Sequence, residues 1–416
     1  MLHAADVVLP IAEAPLPDGG VLVAAGHIVA VGPRASLEPR ARSVRRWPGV
    51  LLPGLVNAHA HLQYTGFADL ATSGLPFFPW IRALTARRRE YDAAAWLGDA
   101  RRGMDLAMRS GTTCVADVVS DLGALGAWDA SDLTGIAYLE VVGADTTRWT
   151  GGGRARLLDA LAAAPTGVPV GVSPHALYTL GTAVLTDCVR IAREHGARLH
   201  THLAETAAES EYVLAAGGPF AAANTKLGFA FELLERGGSG RTPTALLDRL
   251  GGLGVDCHVA HGVHVDAADR RLLRGRGSVV ALCPRSNRIL GAGEPPVAAY
   301  LREGNPIAVG TDSLASSPSL DLLEDVAAVA ELARAQGYTE DDLARRVVEA
   351  ATQGGARALG RRDIGSLVPG ARADLAVFDV GPHPQGADPY AAVARAAGRC
   401  VGVVLSGRVV HERLSG

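Results

Sequence analysis

The sequence predicts an α/β protein: a (β/α)8 TIM-type barrel carrying a small β-sandwich domain formed by both chain termini. Three observations predict it. Short apolar runs of strand type alternate with Ala/Leu/Arg-rich helical stretches through the middle of the chain. There are eight such runs, which favours a closed barrel over an open doubly wound sheet of five or six units. The two ends read differently, as short strands joined by turns. In order, the expected barrel strands are 50–56, 113–119, 135–142, 169–172, 198–202, 256–261, 279–283 and 307–310, separated by helical stretches such as 96–109, 182–194 and 266–274. VLVAAGHIVAVG near the start, and DLAVFDV and CVGVVLSGRVVHERL near the end, are rich in β-formers around glycine turns. Neither end has enough apolar surface for a core of its own. Residues 1–49 and 366–416 are therefore expected to combine into one composite domain, with the barrel at 50–365 inserted between them.

With 416 residues, 48 % of them hydrophobic and 20 % charged, the chain has material for a sizeable core and lacks the composition of a disordered protein. A net charge of −3 excludes a general electrostatic grip on nucleic acid or on an anionic membrane surface. No uncharged apolar run reaches the ~18 residues of a membrane span. The N-terminal MLHAADVVLPIAE lacks the basic start of a signal peptide. The five cysteines (Cys114, Cys188, Cys257, Cys283 and Cys400) are odd in number and show no CxxC spacing. Neither a disulfide framework nor a structural zinc knuckle is expected, which points to a reduced, cytoplasmic setting.

Residues able to do chemistry gather where the strands end. The first strand closes in PGLVNAHAHLQ, placing His59 and His61 two apart. Side chains at i and i+2 share one face of a strand, so both imidazoles can address one metal. Alone, such a pair says little; here it stands at the carboxyl end of a barrel strand, where barrel sites are built. The fifth strand ends in RLHTHLAE, with His202 nearer the mouth, His200 one layer deeper as a core histidine, and Glu205 just past the strand as a carboxylate beside the metal. The sixth ends in HVAHGVH, where His258 and His261 have opposite parity. His261 is expected at the site, His258 against the helix layer and His264 beyond the site. The eighth ends in AVGTDS, whose Asp312 can bind metal and accept a proton from water. Metal-compatible groups thus end strands one, five, six and eight.

HAH, HLAE, AHG and GTDS, in this order and spacing, resemble the amidohydrolase superfamily. Within it they are similar to the mononuclear branch of cytosine, adenosine, S-adenosylhomocysteine and aminodeoxyfutalosine deaminases and triazine chlorohydrolases. The likeness covers nearly the whole chain, and IGSLVPGARADLAVFD is similar to the family's closing segment. The resemblance implies one divalent ion on His59, His61, His202 and Asp312, with Glu205 shuttling protons and His261 touching the attacking water or the tetrahedral centre. Histidines with one carboxylate suit Zn2+ first and Fe2+ second. Two-metal relatives carry a carboxylated lysine late in the first half of the barrel. The sole lysine, Lys226, falls between the fifth and sixth strands, so composition excludes a carbamate-bridged pair. Relatives often form homodimers, an expectation that carries over although no stretch reads as an interface.

The chemistry so implied is hydrolytic deamination of a small nucleoside. His175, in SPHALYT, resembles a family position that hydrogen-bonds the substrate. Phe77, Phe78 and Trp80, in SGLPFFPWIRAL, offer rings to stack on a base or to pack a lid. Arg148, in GADTTRWT, and Arg285, in LCPRSN, offer guanidinium groups for a substrate carboxylate. S-adenosylhomocysteine and methylthioadenosine deaminases have Asn-Pro or His-Asn-Pro versions of LCPRSN. Here the segment looks more like that of enzymes converting 6-amino-6-deoxyfutalosine to futalosine in menaquinone biosynthesis. That reaction is the expectation. Deamination of adenosine, S-adenosylhomocysteine or methylthioadenosine is the alternative. Cytosine- or guanine-type deamination, chlorohydrolysis and a non-catalytic nucleoside-binding barrel stand further back.

Overall fold

The computed structural model describes residues 1–165, 167–381 and 387–413. Residues 382–386 and 414–416 of the expected terminal unit lie outside the described residues. The chain opens with β1 (Leu2–Val8), β2 (Leu16–Ala24), β3 (His27–Pro33) and β4 (Val44–Pro53). Eight strands follow, alternating with helices: β5 (Leu55–Ala60), β6 (Thr112–Val119), β7 (Thr134–Val141), β8 (Val170–Pro174), β9 (Leu199–Leu203), β10 (Cys257–His261), β11 (Val279–Leu282) and β12 (Ile307–Val309). The chain closes with β13 (Leu375–Phe378), β14 (Cys400–Leu405) and β15 (Arg408–Glu412).

Both termini share one seven-stranded sheet in the order β15-β14-β13-β4-β1-β2-β3. The two ends meet in the antiparallel pair β4–β13, where Val50 faces Phe378 and Pro53 faces Leu375. The sheet curls until His27, at the start of β3, bridges Arg372 just ahead of β13. The curl encloses a core that includes Val8, Val21, Ile28, Trp47, Leu51 and Val404. Apolar residues too few for a core at either end suffice once the ends are joined.

The remaining eight strands pair in chain order, all parallel, from β5 to β12. Every residue of β9, β10, β11 and β12 is buried. Such strands are covered on both faces and read as continuous apolar runs rather than alternating ones. Outside them, helix Thr182–Glu194 buries Val184, Leu185, Cys188, Ile191 and Ala192 at helical spacing. The ring closes where Ala60 bridges Asp312 and the Asp312 amide donates to the His59 carbonyl at 3.0 Å. Closure needs Gly310, because a Cβ there would stand 2.7 Å from the His59 Cβ.

The run expected as the first barrel strand, 50–56, divides. Val50–Pro53 belongs to β4 and the terminal sheet, and only Gly54 separates it from β5. Both halves are fully buried, so hydropathy carries no mark of the junction. A Cβ at Gly54 would fall 2.1 Å from the Thr113 hydroxyl oxygen, so the glycine itself was the available signal. Among the described residues no helix is long and apolar enough to cross a membrane, and all five cysteines are buried free thiols.

Candidate metal centre and cavity

Four ligand atoms converge at the mouth of the barrel. Nε2 of His61 lies 3.3 Å from Nε2 of His202. Oδ1 of Asp312 lies 3.5 Å from Nε2 of His59 and 3.8 Å from Nε2 of His61. Ligands at ~2.0–2.1 Å around a tetrahedral ion stand about 3.4 Å apart, so this spacing suits one shared cation. Nε2 of His59 is buried with no hydrogen-bond partner among the described residues, as a metal-facing nitrogen should be. Burial pushes the His61 ring down to about 4 and the His202 ring well below its ordinary value, which keeps their lone pairs free at neutral pH. The other ring nitrogens are held: His59 Nδ1 meets His200 Nε2 at 3.0 Å, and His202 Nδ1 meets the His175 carbonyl at 3.1 Å. Asp312 Oδ2 accepts from Ser286 (2.6 Å) and Ser316 (2.8 Å), and Oδ1 from the Ser313 amide (2.8 Å).

Unusual backbone aims these groups. Among the described residues eight non-glycine residues have positive φ, and three of them stand at or just past the ends of site strands: Ala204 (52°), His261 (75°) and Asp312 (58°). Left-handed backbone costs an L-residue roughly 1–2 kcal/mol, so its clustering here marks a built site. In β5 the register slips between Asn57 and Ala60, which re-aims the His59–His61 pair. At His261 the turn breaks strand alternation and brings the ring into the mouth, 5.3 Å from His59 and 5.6 Å from His202. The parity argument therefore fails for His258. That residue does not face the helices; its Nε2 meets the Ala58 carbonyl at 3.0 Å and its ring stands 4.4 Å from His200. His264 turns away to the Ala292 carbonyl at 2.7 Å.

Glu205 is buried, with Oε1 3.7 Å from His261 Nε2. Burial, then the charges of Asp312 and Glu209, push its carboxyl well above the ordinary carboxylate value, in favour of the protonated form. Asn287 Nδ2 donates to His261 Nδ1 at 3.0 Å, which assigns that ring's proton to Nε2, on the side of Glu205.

The sequence profile described as the amidohydrolase family matches residues 50–410. The chain belongs to this family. It is 30 % identical to a 5-methylthioadenosine/S-adenosylhomocysteine deaminase of Pelotomaculum thermopropionicum, across 95 % of this chain and 89 % of the relative. A zinc-bound adenosine deaminase from Xanthomonas campestris superposes with a TM-score of 0.81 at 27 % identity, over 99 % of this chain and 92 % of the other. The aminofutalosine deaminase of Helicobacter pylori shares the fold, with a TM-score of 0.77 at 20 % identity over 98 % and 99 % of the two chains. This amidohydrolase is a hydrolase acting on C–N bonds. Its family generally binds a single metal, and the histidine-rich cluster fits one.

The amidohydrolase cavity measures about 400 Å³. His61, His202, Glu205, His261 and Asp312 line its inner end, and Phe77, Phe78, Trp80, Tyr178, Phe220 and Phe229 line much of the rest. Trp80 donates its indole N–H to the Ala315 carbonyl at 2.7 Å, and the Tyr178 and Phe220 rings stack at 3.9 Å. The aromatic loop thus packs over the mouth and lines it at once. His175 also lines the cavity, its Nδ1 bonded to Thr179 at 3.0 Å and its ring 4.5 Å from that of His202.

The two expected arginines do not reach this space. Arg148 lies over the Phe229 ring at 3.8 Å and lines a neighbouring hollow of about 660 Å³. Arg285 is tied to the buried Asp325 (2.7 Å), to Glu324 and to the Ser319 and Asp321 carbonyls. Its guanidinium is occupied with holding a helix. Sequence reasoning missed Arg88, Tyr64, Glu140 and Asn224, all of which line the cavity. Arg88 had a signal: Phe77, Ile81, Leu84 and Arg88 follow the i, i+4, i+7, i+11 spacing of one helix face.

Proposed function

We propose that this amidohydrolase is a metal-dependent deaminase of an adenine-type nucleoside, with 6-amino-6-deoxyfutalosine as its favoured substrate and a place in menaquinone biosynthesis. One observation carries the deaminase reading: a buried Glu205, its carboxyl pushed toward the protonated form, stands beside His261 at the inner end of an aromatic cavity, next to His59, His61, His202 and Asp312. The preference for a substrate with an aromatic extension rests on the LCPRSN segment and on the many rings around the cavity.

A divalent ion held by those four residues, Zn2+ before Fe2+, would supply Lewis-acid activation of a water molecule. Asp312 takes that water's proton as its oxygen bonds to C6 of the purine. Glu205 donates its proton to N1, the adjacent ring nitrogen, so the ring carries no net negative charge in the tetrahedral species. His261 orients the incoming oxygen through Nε2–H. The proton on Asp312 then passes to the amino group, the C6–N bond breaks and ammonia leaves, while the C6 hydroxyl gives its remaining proton back to Glu205 as the carbonyl forms and N1 keeps its hydrogen. General acid–base assistance of this kind contributes ~10²–10⁴-fold.

The names of the relatives favour a second reading, deamination of methylthioadenosine or S-adenosylhomocysteine. Ammonia release from aminodeoxyfutalosine, adenosine, methylthioadenosine and S-adenosylhomocysteine, measured side by side with zinc-loaded protein, tests both. The highest kcat/KM is expected on aminodeoxyfutalosine. Preference for methylthioadenosine selects the second reading, and turnover of chlorotriazines alone refutes deamination.

A further inference from the structure

We propose that Arg88 is the anion-recognition residue of the cavity, and that the substrate presents to it a carboxylate remote from the reacting carbon. The inference rests on the nucleoside reading above and names the second feature that its substrate must have.

Arg88 ends helix Phe77–Arg88, is half-buried and is the sole arginine or lysine among the residues lining the cavity. Among the described residues it makes no side-chain hydrogen bond and no ion pair. Its neighbour Arg87 is paired with Asp69, and Arg285 has two acidic partners. The Arg88 guanidinium lies 5.9 Å from the centroid of the Tyr64 ring, and its charge acts on Glu140 and His175. Tyr64 in turn stacks on His61 at 5.6 Å, so one aromatic ring separates Arg88 from the metal cluster.

The charges give the cavity a direction. Its acids, Glu140, Glu205 and Asp312, line it together with the histidines; Glu140 is grouped with His175 and His202 and forms no ion pair with Arg88, although the Arg88 charge is among those acting on it. A ligand with an amidine-type ring entering toward those acids leaves its other end to the one cation of the lining, which no ion pair holds. An unpaired guanidinium on an apolar wall favours a planar anion, because carboxylate oxygens match its two parallel N–H donors and the surrounding rings weaken screening by water. Arg88 therefore discriminates between carboxylated and neutral substrates of the same ring system.

The test compares aminodeoxyfutalosine with its methyl ester, on wild-type protein and on Arg88→Met and Arg88→Lys. The wild type is expected to prefer the acid. Arg88→Met should lower the acid-to-ester ratio of kcat/KM about 10–100-fold, the range for one hydrogen-bonded charge, and Arg88→Lys should restore part of it. An equal loss on acid and ester, or a wild type indifferent to the carboxylate, overturns the proposal. Should wild-type protein release ammonia from no nucleoside, the proposed function falls instead. Calorimetric titration with the acid and the ester then decides Arg88: an acid preference erased by Arg88→Met keeps it, and no preference removes it.

Discussion

The inner end of the cavity and its walls are built by different rules. The inner end is made of strand ends: His59 and His61 from β5, His202 from β9, His261 from β10 and Asp312 just beyond β12. Hydrogen bonds across the ring fix those positions, and a second set of buried polar groups aims each side chain. The walls come from connecting segments: helix Phe77–Arg88, Tyr178 after β8, and Phe220 and Phe229 in the long excursion after β9. They touch through ring faces, which permit many rearrangements. Reaction type is thereby tied to the rigid sheet, and choice of substrate to elements able to change without disturbing it.

Changes at the inner end should accordingly stop turnover on every substrate, whereas changes in the wall should redistribute it. The largest effect is expected for Glu205→Gln, which keeps the shape and removes the proton. Its kcat should fall ~10²–10⁴-fold on all nucleosides while metal content, read by elemental analysis, stays at the wild-type level. A near-normal kcat would break the division of labour at its centre. A smaller effect is expected one layer out, at Glu209. Its two carboxylate oxygens accept the Ala204 amide (3.0 Å) and the Glu205 amide (2.8 Å), clamping the left-handed bend that projects Glu205. Glu209→Gln exchanges one acceptor for a donor. By analogy with groups that orient metal ligands, kcat should drop about 10–100-fold, with KM and metal content little changed. Loss of metal, or a rise in KM without a fall in kcat, would place Glu209 elsewhere in the machinery.

The same contrast explains what could be read from the chain. Barrel strands announce themselves by apolar runs, and the groups ending them by position; in the structure Nε2 of His61 and His202 stand 3.3 Å apart and Asp312 Oδ1 lies 3.5 Å from His59 and 3.8 Å from His61. Parity gave the wrong answer for His258 because alternation assumes a regular strand, and the positive φ of His261 abolishes it at the last residue. Nothing in HVAHGVH declares that turn. The β4–β5 junction was illegible for another reason: both halves are buried, and buried strands on either side of a glycine look alike. The wall was least legible, since an isolated arginine in a sequence with many gives no sign of whether acids surround it. Arg285 meets Asp325 and Glu324, 40 and 39 residues away, while Arg88 forms no ion pair among the described residues and acts on Glu140 through its charge alone.

Arg285 supplies the smallest expected effect on catalysis and the clearest check on where the wall ends. Asp325 is fully buried. Burial pushes its carboxyl up to about 6, with the Arg285 charge and hydrogen bonds opposing that rise. Removing the guanidinium leaves a buried carboxylate without its cation, which typically costs 3–5 kcal/mol. Arg285→Met should therefore lower unfolding stability by about that amount in chemical denaturation. Because an unpaired buried carboxyl favours its protonated form, the loss should be smaller at pH 5 than at pH 8. Double replacement of Arg285 and Asp325 by Met and Leu should recover much of the stability, since it removes the stranded charge as well as its partner. The acid-to-ester ratio of kcat/KM should stay within about twofold of wild type in either variant, because the side chain points into a helix and not into the cavity. A large change in that ratio at unchanged stability would move Arg285 into the wall and make the carboxylate its ligand.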